Sequence, residues 1–243
     1  MRTLTSFEVV RLWDEGLRCP QWRLGALLLA PILPRRSQRE LLSMTLGEMN
    51  ELLIAMHRSL AGDRLNLMVD CPACAQRLEF VFDAGALGSD EPAPRGAETV
   101  IAGENWRVRI RALCARDLGL AANAGSLETA AQRLWRQAVL AAEIDGTPTA
   151  AEELADDARA RVADAMSDID PNSEIRLALS CPECGRRWVS LLDVASVVFA
   201  EVALQGRRVM EEVHSIASAY GWSESEILSM NPQRRRYYLE LLS

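Results

Sequence analysis

Apolar residues recur at helical spacing through the first third of the chain. Phe7, Val10, Trp13 and Leu17 follow Thr5-Ser-Phe-Glu8, which has the spacing of a capping box, and Gly16 with Cys19-Pro20 ends that helix. A second short helix is expected over 21–30, stopped by Pro31. Thr45-Leu-Gly-Glu48 opens another, whose apolar face is Leu52, Leu53, Met56 and Leu60, and Gly62 closes it. The period then drops to two. Leu65, Leu67 and Val69 alternate with Asn66, Met68 and Asp70, as in a half-buried strand. After Cys71-Pro-Ala-Cys74 a second strand-like stretch covers 78–82.

The segment 85–96, rich in Gly, Pro and Asp, reads as a loop or linker. A small hairpin is expected from 99–102 and 106–110, which flank Gly103-Glu-Asn105. Two or three helices fill 115–167, the last opening at Thr149-Ala-Ala-Glu152 and turning Leu154, Val162 and Met166 inward. Strand alternation returns with Ile175, Leu177 and Leu179, then Cys181-Pro-Glu-Cys184, then 188–192. A long helix over 194–219 is broken by Gly221, Ser223-Glu-Ser-Glu226 caps a short one, and Asn231-Pro232 starts the last, with Tyr237, Leu239 and Leu242.

The cysteines give this pattern its meaning. Laying 64–84 over 174–194 at a constant offset of 110 places Cys71 on Cys181, Cys74 on Cys184, Pro72 on Pro182, Arg77 on Arg187 and Asp83 on Asp193. Each copy is a strand, a C-P-x-C turn and a return strand. One copy offers two thiolates, and an all-thiolate structural zinc site takes four in tetrahedral array. The expectation is one structural zinc ion, Zn2+, bound by Cys71, Cys74, Cys181 and Cys184. Closing a loop of about 110 residues costs a few kcal/mol of chain entropy. Zinc binding, on the order of 10 kcal/mol or more in small metallopeptides, exceeds it. Four protein thiolates leave no open coordination position, which argues against a catalytic metal. The alternatives are two redox or reduced C-x-x-C pairs and two separate metal sites. A thioredoxin-like motif opens a helix after a strand, whereas both flanks here read as strands.

The expected fold is therefore α+β and mostly helical, with helical N- and C-terminal parts around a split zinc ribbon made of the two C-P-x-C hairpins. Its parts are 1–62 (helical), 63–84 (first hairpin), 98–170 (strands and helices), 171–193 (second hairpin) and 194–243 (helices), as one compact unit tied by zinc.

Composition narrows the function classes. The 243 residues carry a net charge of −7, and all 27 basic residues are arginine. That balance disfavours broad contact with nucleic acid or anionic lipid. The longest apolar stretch, 24–33, falls short of the roughly 18 to 20 residues a membrane span needs. The start, Met1-Arg2-Thr3-Leu4-Thr5, lacks the features of a signal peptide, so the expected compartment is the cytoplasm. In that reducing setting paired cysteines suggest metal or redox chemistry before disulfides.

The remaining chemistry-bearing residues read as structural. Cys19 and Cys114 lack a partner at ligand spacing and are expected to be buried free thiols. His57 lies in a helical context without an acidic neighbour at metal spacing, and His214, inside Glu211-Glu-Val-His214, is likewise read as a structural helix histidine. Asp168 and Asp170 form a possible carboxylate pair, although Asp-Ile-Asp-Pro reads first as a helix-ending turn. Arg234-Arg-Arg236 beside Tyr237-Tyr238 has the look of a phosphate contact; a solvated helix face is the expectation, given the acidic whole. No nucleotide-binding, zinc-protease or nucleophile-elbow motif occurs, so no catalytic residue is assigned. Trp222, Ile227, Leu228, Tyr237 and Leu241 offer more apolar surface than two short terminal helices easily bury.

The chain resembles the T-even-type phage baseplate protein family, the baseplate hub assembly chaperones of contractile phages and phage-tail-like injection systems. The resemblance is carried by Leu4-Thr5, Leu12-Trp-Asp-Glu-Gly16, Cys71-Pro-Ala-Cys74 with Leu78-Glu-Phe80, and Asp170-Pro171. It continues through Leu177-Ala-Leu-Ser-Cys181-Pro-Glu-Cys184-Gly185, Trp188, Glu211-Glu-Val-His214, Ala219-Tyr-Gly-Trp222, Ile227-Leu-Ser-Met, Arg234-Arg-Arg236 and Tyr238-Leu-Glu-Leu. It implies a non-enzymatic role in building the baseplate or hub of a contractile tail, with baseplate or hub proteins as partners, no membrane, and possible incorporation in the particle. The alternatives are a zinc-ribbon nucleic-acid-binding regulator and a thiol oxidoreductase using Cys71 and Cys74.

Overall fold

The computed structural model describes residues 2–87 and 98–242, so most of the expected 85–96 linker lies outside the described residues. Helices α1 (Ser6–Gly16), α2 (Gln21–Leu29), α3 (Gln38–Leu42) and α4 (Leu46–Ala61) open the fold. At α1 the Thr5 side chain accepts from the Glu8 N–H while the Glu8 carboxylate accepts from the Thr5 N–H, a complete capping box. Arg2 also grips Glu8, and with these bonds holds its carboxyl down to about 2. Helix α3 has its own box, Ser37 with Glu40, which the sequence reading missed because five residues show no periodicity. At α4 the expected box is half made. Thr45 accepts from the Glu48 N–H, but the Glu48 carboxylate is 3.3 Å from Arg36.

Hairpin β1 (Arg64–Asp70) and β2 (Arg77–Asp83) follows, antiparallel in the register Leu67 to Phe80. The middle of the chain is β3 (Glu98–Ala102), β4 (Trp106–Arg111), α5 (Ala115–Ala122), α6 (Leu127–Ala138), β5 (Val139–Ile144), β6 (Thr147–Thr149) and α7 (Asp156–Ile169). The four strands form one antiparallel sheet in sequence order. Two expectations are corrected here. The 115–167 stretch is not all helix, because Asp145-Gly146, both at positive φ (50° and 73°), make the tight turn that pairs β5 with β6. Nor does Thr149 cap a helix. It ends β6, its hydroxyl bonds to Glu153, and α7 begins only at Asp156 after a short turn. Leu154 and Val162 are nonetheless buried, with Val108, Ile110 and Ala158, in a core of their own between the sheet and α7.

The second hairpin, β7 (Arg176–Ser180) with β8 (Arg187–Leu191), leads into α8 (Val194–Tyr220), which Gly221 ends at φ 70°. Then come α9 (Glu224–Ser229), boxed by Ser223 and Glu226, and α10 (Pro232–Glu240), capped by Asn231. The main core gathers Leu12 of α1, Leu28 of α2, Met56 of α4, Leu65 and Leu67 of β1, Leu177 of β7, and Val198 and Val202 of α8. Both hairpins are thus rooted in one apolar core, which brings their tips into the same region. Helix α1 lies close along α8, where a Cβ on Gly16 would fall 2.1 Å from the Phe199 ring. A third cluster seats Val10 against Val213, Ile216, Ile227 and Leu228.

Asp170, just past α7, is buried, while Asp168 is exposed. They do not act as a pair. The Asp170 carboxylate accepts from the Gly47 N–H at 3.0 Å and from the Thr45 hydroxyl at 3.5 Å, tying the middle unit to the start of α4. Among the described residues no helix is long and apolar enough to cross a membrane.

Candidate metal centre

The two C-P-x-C turns are built alike, as their sequence match predicts. In the first, the Cys71 N–H donates to the Gln76 carbonyl and the Ala75 N–H to the Cys71 carbonyl, both at 2.9 Å. In the second, the Cys181 N–H donates to the Arg186 carbonyl at 2.9 Å and the Gly185 N–H to the Cys181 carbonyl at 3.0 Å. The residue after the second cysteine is left-handed in both, φ 57° at Ala75 and 69° at Gly185. Glycine takes that conformation freely, whereas alanine bears a cost of about 1–2 kcal/mol. The turn is therefore imposed on Ala75 by the rest of the half-site.

The tips meet. The sulfurs of Cys71, Cys74, Cys181 and Cys184 all lie within 4.8 Å of one another, and two contacts between the half-sites, Cys71 to Cys184 and Cys74 to Cys181, measure 3.7 Å. All four are free thiols. Around an ion with bonds of about 2.3 Å, tetrahedral geometry puts the sulfurs about 3.8 Å apart. The cluster is close to that size and far from the roughly 2.05 Å of a disulfide. Cys71 and Cys181 are buried residues, while Cys74 and Cys184 are exposed ones.

The thiols pull against one another. At Cys71 burial opposes ionisation, but the N–H groups of Ala73 and Cys74 and the thiols of Cys74 and Cys184 outweigh it, bringing the group down to about 7. At Cys74 the Gln76 N–H favours the thiolate, yet burial and the other three thiols push it up to about 12. Four crowded sulfurs do not share several negative charges unaided. A divalent cation removes that repulsion and makes all four thiolates, the donor set zinc takes in closed sites. The residues fit such an ion.

No other expected candidate joins the cluster, and among the described residues no second group of three or more potential ligands gathers. Cys19 is half-buried near the Pro20 carbonyl, and burial pushes its thiol up. Cys114 is buried at the start of α5, its thiol 3.2 Å from Asp117, and burial raises it too. His57 is buried in α4 and His214 is exposed on α8. The sequence reading missed the bidentate pair of Arg111 with the buried Asp117, at 2.7 and 2.8 Å, because nothing local marks it. It also expected a solvated face for the whole arginine run. Arg235 is instead buried and donates to Glu212, the Met230 carbonyl and Ser6 at 2.8–2.9 Å, pinning α10 to α8 and α1. Only its neighbours face outward.

The C-terminal apolar surface divides. Ile227 and Leu228 are buried, whereas Tyr237 and Leu241 are 59% and 58% exposed. Trp222 stacks on Tyr220 at 4.9 Å, Tyr238 meets both edge-on, and Arg234 lies 5.6 Å over Tyr238. The result is an aromatic patch at the end of α8 and α10.

Fold and site together define a mixed α/β protein, mostly helical, with four clustered cysteines able to hold one metal ion. No protein-family model, curated protein or solved structure matches the chain.

Proposed function

We propose that the cluster holds one structural zinc ion and that the protein is a non-catalytic assembly chaperone, or minor structural component, of the baseplate or hub of a contractile tail or tail-like injection system. The observation that carries the zinc reading is the convergence of two matched half-sites, 110 residues apart, on one four-thiol cluster of tetrahedral size. With every ligand position filled by the chain, the ion binds no substrate and instead fastens the fold.

The assembly role is supported by the family resemblance and by the aromatic cluster of Tyr220, half-buried Trp222, Tyr237 and Tyr238, with exposed Leu241 on the same C-terminal segment, an aromatic and apolar surface of the kind that marks partner sites. Burial of Arg235 leaves the arginine run poorly suited to phosphate, which weighs against the nucleic-acid reading. A transient helper working in the cytoplasm suits a small acidic chain better than a permanent wall of the particle.

The test is deletion of the chain in a host that assembles such tails, with co-expression and pull-down of the tail proteins. Incomplete baseplates, capture of a hub or baseplate subunit, and loss of capture in Tyr237→Ser with Leu241→Ser are expected. A chaperone is absent from purified particles and a structural subunit is present. Complete contractile baseplates without the chain, and no captured subunit, overturn the proposal.

A further inference from the structure

The 3.7 Å sulfur contacts run crosswise, Cys71 to Cys184 and Cys74 to Cys181, and each joins one buried thiol to one exposed thiol. A bridge across the half-sites needs the tips to close only from 3.7 Å to about 2.05 Å. A bridge within either turn has to form inside a backbone ring that two hydrogen bonds already fix. Cys74 and Cys184 are the exposed residue of each pair, where a small oxidant would arrive first, and each has a buried partner within 3.7 Å to resolve it.

We propose that this cluster is a redox-responsive clasp: a peroxide converts it to two crosswise disulfides, Cys74–Cys181 and Cys71–Cys184, releasing the metal while keeping the half-sites joined. The inference rests on the metal-centre reading above. In the first step the sulfur of exposed Cys74 or Cys184 attacks one oxygen of hydrogen peroxide. An S–O bond forms, the O–O bond breaks, and the departing hydroxide takes a proton to become water. The buried partner's thiolate then attacks the sulfenic sulfur. The S–S bond forms, and the hydroxide expelled is protonated to a second water. Each bridge takes two electrons from sulfur and reduces one peroxide. As its thiolates are consumed the metal leaves, and the 107-residue loop from Cys74 to Cys181 stays closed by a covalent bond in its place.

The test uses the full chain. Metal content is measured first, then zinc release into a chromogenic chelator during hydrogen peroxide titration, then the disulfides by non-reducing peptide mapping. One equivalent of zinc released, peptides linked 74 to 181 and 71 to 184, and a higher melting point in chelator for oxidised than for reduced protein are expected. Cys74→Ser should keep the 71–184 link; if that variant fails to fold, the wild-type map decides. Bridges within the turns, or sulfinic acids in place of bridges, overturn the clasp and leave the metal centre standing. Protein that neither carries nor takes up one zinc overturns the metal centre, and the map of the metal-free thiols still decides the clasp.

Discussion

Losing the metal should loosen the whole fold, and the size of the effect follows from the chain. An ion held by all four cysteines would close a loop of 107 residues between Cys74 and Cys181. Binding on the order of 10 kcal/mol in the folded state, less about 4 kcal/mol to close that loop, leaves about 6 kcal/mol that chelation removes. Against a total stability of about 5–15 kcal/mol, that is a large share. For a chain of this length it corresponds to a fall in melting temperature of roughly 12–24 °C. Cys184→Ser, at an exposed position, should reproduce the chelator effect, and chelator should then do nothing more. Cys71→Ser should cost somewhat more, because its hydroxyl is buried without the ion. The double variant should cost scarcely more than Cys71→Ser alone, since one missing ligand already disables the site. Thermal melts of the four proteins with and without chelator, alongside metal analysis, provide the measurement. Additive losses, or a chelator shift retained in Cys184→Ser, would show that the thiols do not act as one metal-bound unit.

Ala75→Gly should be neutral or stabilise by up to about 1 kcal/mol, whereas Gly185→Ala should cost about 1–2 kcal/mol; chemical denaturation of both variants checks the pair. Arg235→Ala should cost about 2–3 kcal/mol by removing three charge-assisted bonds, and should free α10 first, visible as faster amide exchange over 232–240. Asp170 is raised above the usual carboxylate range chiefly by burial, against the Gly47 N–H and the Thr45 hydroxyl. Its contribution is therefore fully present below the ordinary value of 3.8 and is lost as pH rises through the elevated one. Asp170→Asn should flatten that dependence while keeping the bond to Gly47, and melts from pH 3.5 upward should show a smaller fall than in the parent.

Much of this was legible in the sequence where one local signal decides the outcome. The N-terminal boxes, Gly62, Gly221 and the alternation around each cysteine pair set element boundaries almost to the residue. The reading failed where a weak signal competed with a stronger habit. Thr149 had capping-box spacing, but Asp145-Gly146 was the better clue, because a two-residue turn at positive φ forces the flanking residues to pair. Arg235 was misjudged because it sits among exposed arginines, and only the return of α10 onto α8 and α1 buries it. Asp117 and Arg111 likewise meet through tertiary placement that no spacing announces.

The repeat explains why a metal would belong at this place. A lone two-stranded hairpin is marginal in water, and each half-site here is a separate two-stranded sheet. The inner faces of β1 and β7 reach the shared core through Leu65, Leu67 and Leu177, but the outward positions Met68, Val81, Val189 and Leu191 remain exposed. Apolar burial therefore fixes the base of each hairpin and leaves its tip to other forces. The backbone bonds within each turn shape the tip without joining it to its twin. The four sulfurs meet across the gap, and as neutral thiols they attract one another weakly. As thiolates they repel, unless a cation lies between them. The order of effects is thus set by distance from the core: burial near the roots, backbone bonding that shapes each turn, and, between the two turns, the sulfur cluster that a cation would hold together.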